Sequence, residues 1–63
     1  MADKPVVRKG DLFEVGNDTV VDQDISTHEW KVYRKNDAGR FMPDGGPFDT
    51  SAAAIAHAQT IAA

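Results

Sequence analysis

Two kinds of hydrophobic spacing divide this chain. As far as about residue 50, apolar side chains come in short runs broken by Gly, Asn, Asp and Pro, which is the chemistry of strands and turns. From Ser51 to Ala63 there are seven alanines and two isoleucines, and the pattern becomes helical. The clearest strand runs from His28 to Lys35: alternation puts Trp30 and Val32 on one face and Lys31, Tyr33 and Lys35 on the other. Asn36-Asp37-Ala38-Gly39 then forms a four-residue connection, with Gly39 free to take positive φ as in a type I turn closed by a left-handed residue. Arg40-Phe41-Met42 is the returning strand, stopped by Pro43-Asp44-Gly45-Gly46-Pro47.

Upstream, Asp11 to Val15 and Thr19-Val20-Val21 read as a hairpin around Gly16-Asn17-Asp18. Asp22-Gln23-Asp24 with Ser26 and Thr27 reads as a solvated loop, from which Ile25 is expected to dip into the core. Residues 1–5 are expected to fray. Asp49 or Thr50 can cap the helix, with Phe48 stapling onto its first turn if Asp49 is the cap. At 100° per residue Ala54, Ile55, Ala58, Ile61 and Ala62 form one stripe, while Ala53, Ala56, Thr60 and Ala63 face away.

The predicted fold is α+β, a single small domain over residues 1–63. It consists of an antiparallel three- to four-stranded sheet packed on one face by a single C-terminal α-helix, from about Ser51 to Ala62. A short Ala-rich helix is marginal alone, so its stripe must lie on the sheet. The predicted core is Phe13, Val15, Val20, Trp30, Val32, Phe41, Phe48, Ile55 and Ile61.

The segment Trp30-Lys31-Val32-Tyr33-Arg34, then Gly39-Arg40-Phe41, then Gly46-Pro47-Phe48-Asp49-Thr50 and the helix through Ala62 resembles short bacterial domains of unknown function. In those domains a W-x-V-x-R strand and a hairpin lead to F-x-T and an Ala-rich helix. The resemblance covers about half the chain and implies a strand–strand–helix arrangement. Its motifs are a core Trp, a turn Gly and a helix cap, so it implies no catalytic residue.

Size and charge narrow the functional classes. At 63 residues without cysteine, neither disulfides nor thiolate–zinc ligation can supplement the core. Met1 to Pro5 lack the apolar stretch of a signal peptide, and no run is long enough to cross a bilayer, so a cytoplasmic protein is expected. A formal charge of −3 gives no global attraction to nucleic acid or anionic lipid.

The candidate chemistry is sparse. His28 and His57 stand in no nucleophile motif, His28 opening a strand and His57 flanking the helix stripe. A calcium loop counted from Asp22 would meet Thr27 where Gly is needed and Tyr33 where Glu is needed, so no metal site is assigned. Pro43 to Pro47 lacks the Lys-Ser/Thr ending of a phosphate loop. The candidate binding face is Lys31, Tyr33, Lys35 and, across the turn, Arg40, a basic sheet face holding one aromatic. A second candidate surface is the bare outer face of the helix, Ala53, Ala56 and Ala63.

These observations favour a non-enzymatic, monomeric interaction or accessory protein with a protein partner and no cofactor. Weak nucleic-acid binding through the basic sheet face is the alternative.

Overall fold

In a computed structural model, which describes residues 4–61, five strands precede one helix: β1 (Val6–Lys9), β2 (Leu12–Val15), β3 (Thr19–Gln23), β4 (Trp30–Lys35), β5 (Phe41–Pro43) and α1 (Ser51–Thr60). The strands form one antiparallel meander in the order β1-β2-β3-β4-β5. The architecture is therefore α+β as the pattern predicts, but with five strands instead of three or four. The additional strand is β1, which pairs Val6 with Val15 and Lys9 with Leu12 through a two-residue connection, Gly10-Asp11.

Strand alternation decides what is buried. Val21 pairs with Val32, Phe13 with Val21, and Gln23 with Trp30, so these residues share the face on which α1 lies. Val15, Val21, Val32, Ala54 and Ala58 are fully buried, and Phe13, Trp30, Phe48 and Ile55 pack around them. The alanines at 54 and 58 let the helix backbone sit close to the sheet, which suits a small core. Ile61 closes the far end, and Ala62 and Ala63 of the predicted helix faces lie outside the described residues.

The predicted core needs two exchanges. Val21, not Val20, points to the helix, and Phe41 is 46% exposed on the opposite face. Ile25 is solvent-exposed at the tip of the β3–β4 loop instead of entering the core. That loop begins one residue beyond Gln23, since Asp22 and Gln23 are strand residues paired with Lys31 and Trp30. His28 does not open β4; it closes the loop with φ 63 and donates its backbone N–H to the Asp24 carbonyl.

Of residues 1–5, where fraying is expected, residues 1–3 lie outside the described range and Lys4 and Pro5 make backbone hydrogen bonds to the rest of the chain. The Lys4 backbone N–H donates to Gln59 Oε1 at 2.7 Å and Gln59 Nε2 donates back to the Lys4 carbonyl at 2.9 Å. This reciprocal pair ties the strand leading into β1 to the end of α1. The Lys4 ammonium also reaches Asp18 Oδ1 at 3.2 Å. Partial burial alone would raise the Asp18 carboxyl, but hydrogen bonds from Lys4 and Thr19 outweigh it and hold the group below the ordinary carboxylate value.

Beyond β5 the chain leaves β4 and returns. Asp44 still donates its N–H to the Val32 carbonyl, and then Phe48 exchanges both backbone hydrogen bonds with Trp30 at 2.8 Å. The intervening Gly45 has φ 104 and lies against the His57 ring where a Cβ would overlap it, so this excursion requires glycine. Thr50 caps α1, its hydroxyl accepting from the Ala53 N–H at 3.1 Å.

Candidate functional site

The helix covers one face of the sheet; the other carries no element of the described chain. Alternation brings Lys31, Tyr33 and Lys35 to this open face, as their spacing predicts. Across the sheet, paired positions form a row: Val7 beside Glu14, Glu14 beside Val20, Val20 beside Tyr33, and Tyr33 beside Pro43. Four of the five are apolar or aromatic, and Val7 is 50% exposed.

Arg40 is not delivered to this group. The hairpin connection is one residue longer than its turn signal suggests, because Lys35 pairs with Phe41 and not with Arg40. Asn36 Oδ1 accepts from the backbone N–H groups of Ala38 and Arg40, and Gly39 takes φ 80, so Arg40 belongs to the turn. A one-residue shift of register exchanges faces. It puts Phe41 beside Lys35, whose ammonium lies 5.5 Å from the ring centroid.

The charges around the row are largely matched. Lys31 Nζ stands 3.3 Å from Asp24 Oδ2, and Lys9 Nζ stands 3.4 Å from Glu14 Oε1. The Ser26 hydroxyl, together with Lys31 and the Ser26 N–H, lowers the Asp24 carboxyl to about 2. The hydrogen bond to Asp24 raises Lys31 in turn. Such exposed pairs add little stability, but they offset the charges of Lys9 and Lys31, and leave Lys35 as the lysine of this face without a carboxylate partner among the described residues.

Tyr33 forms the ridge between two hollows. One, of about 160 Å³, is lined by Asp22, Asp24 and Lys31; the other, of about 260 Å³, lies against Pro43, Gly45 and Pro47.

The histidines are placed in structural surroundings. His57 Nε2 lies 2.8 Å from the Asp44 carbonyl oxygen, and its ring packs 5.3 Å from that of Phe48. It therefore fastens the Gly45-Gly46 excursion to the helix. The outer helix residues Ala53 and Ala56 are exposed. Among the described residues there is no group of three or more His, Asp or Glu side chains arranged to hold a metal ion.

No family model, no curated protein and no solved structure gives a significant match to this chain.

Proposed function

We propose that this is a non-enzymatic interaction module, a cytoplasmic accessory protein that binds a protein partner through the open sheet face. The observation that carries this reading is the uncovered row Val7, Glu14, Val20, Tyr33 and Pro43, in which the one charge, Glu14, is paired with Lys9, and which is bordered by Phe41 and by the Lys31–Asp24 pair. Apolar and aromatic surface at the centre with charges at the rim is the composition of a protein-binding patch. Nucleic acid would instead favour accumulated unpaired cations, and of the three expected on this face Lys31 is engaged by Asp24 and Arg40 lies in the turn, which leaves Lys35 alone. Binding without turnover agrees with His57 being held against the Asp44 carbonyl.

The test compares the parent with a Val20→Glu/Tyr33→Ser variant in crosslinking from the native host, with both proteins checked for equal thermal midpoints. A partner protein whose crosslinks map to the open face and disappear in the variant supports the reading. NMR titration with short oligonucleotides supplies the opposing result. Saturable shifts at Lys31, Tyr33 and Lys35 that vanish in Lys31→Ala/Lys35→Ala would replace the protein partner with nucleic acid.

A further inference from the structure

On the helix side of the sheet, α1 does not cover everything. A helix of ten residues is about 15 Å long, and this one lies chiefly across β2, β3 and β4. Near its first turn, where β1 turns into β2 and β3 gives way to its loop, an open cleft of about 260 Å³ remains. Phe13 and Trp30, half-buried with ring centroids 5.9 Å apart, supply aromatic walls; Gln23, Ser51, Arg8 and Asp11 complete the lining.

Arg8 gives the cleft its chemistry. It is paired with Phe13 across β1 and β2, so its side chain leaves the sheet on the same face as the aromatic rings. Its Nε–H donates to the Gly10 carbonyl at 3.2 Å, which orients the guanidinium, and no carboxylate lies within ion-pair distance of it among the described residues. A guanidinium held at Nε with its outer nitrogens unpaired matches the two oxygens of a carboxylate. Asp11 on the same rim disfavours a phosphate dianion relative to a singly charged group.

We propose that this cleft binds a small aromatic carboxylate, its ring against Trp30 and Phe13 and its carboxylate on Arg8. The volume holds one ring with its acid group rather than a larger molecule. The site lies on the side of the sheet opposite the open face, so it stands independently of the partner proposed there.

Trp30 is the chain's single tryptophan, and its indole N–H resonance reports directly on the cleft. Benzoate, titrated into ¹⁵N-labelled protein, is expected to shift that resonance saturably with a dissociation constant on the order of 1 mM, as ordinary ligand efficiency gives for so small a molecule. Arg8→Gln removes an exposed side chain and should leave the other amide resonances in place while weakening benzoate about tenfold or more. Benzamide and inorganic phosphate should each bind far more weakly than benzoate. An indole resonance that ignores benzoate, equal affinity in Arg8→Gln, or equal binding of benzamide or phosphate would overturn the assignment.

Discussion

The two faces of this sheet are made by the same strands, yet they solve different problems. On the helix side, Val15, Val21 and Val32 meet Ala54 and Ala58 with no exposed area at all. On the open side, Val7 and Phe41 remain about half exposed, Lys9 and Lys31 are matched with carboxylates, and Lys35 lies over the Phe41 ring. Alternation by itself explains only the first face, because a simple wet face would be uniformly polar. Half-exposed apolar residues lie on the edge strands of both faces, Val6 and Met42 on the helix side and Val7 and Phe41 on the open side, so what sets the open side apart is that no element of the described chain covers its middle.

The contrast can be tested from its strongest side. Val32→Asp places an unpaired carboxylate in the dry layer, and its cost exceeds the roughly 3–5 kcal/mol expected for a core of this size. The variant should be unfolded by circular dichroism at room temperature; a cooperative melt would show that the helix side is not the core. A smaller effect is expected from Ala58→Leu, which pushes α1 off the sheet and should cost about 1–3 kcal/mol in urea unfolding. Ala56→Leu on the exposed side of the same helix should stay within about 0.5 kcal/mol. Equal losses at 56 and 58 would mean that both sides of the helix are packed.

The smallest effect belongs to the open face. The folded value of Asp24, about 2, lies below that of an unfolded aspartate, so its contribution to stability is fully present above about pH 4 and is lost as pH falls toward 2. Lys31, raised in the folded state, contributes below its ordinary value near 10.4 and loses that contribution as pH rises through the raised one. Carboxyl NMR should find Asp24 titrating near 2, with Ser26→Ala moving the midpoint back toward 4. A parent midpoint already near 4 would dissolve the network and leave Lys31 free.

Much of this was legible in the residue pattern, and the errors share one cause. Trp30 and Val32 on the helix side, positive φ at Gly39 and a cap at Thr50, one of the two residues offered, all rest on local signals, and all are found in the structure. Faces depend on counting. The connection between β4 and β5 has one residue more than its Asn-Asp-Ala-Gly signal, and that single unit sends Phe41 outward and leaves Arg40 in the turn. Val20 and Val21 are adjacent and chemically equal, so only pairing with Val32 selects which is buried. β1 did carry a signal, Gly10-Asp11 between two runs of four, with Gly10 at φ 62 as a tight hairpin requires. The tie between Lys4 and Gln59, 55 residues apart, has no local signature.

The meander joins each strand to its neighbour in the chain, so five strands can assemble by successive hairpin closures with little loop entropy to overcome. The element that shields Val21 and Val32 is nevertheless translated after every strand. A sheet that closes before α1 docks displays its most water-averse surface, with β1 offering an unpaired edge alongside. The helix thus determines when the chain becomes safe from aggregation as well as how stable it is afterwards, and refolding at high protein concentration should raise the insoluble fraction without altering a single contact of the finished fold.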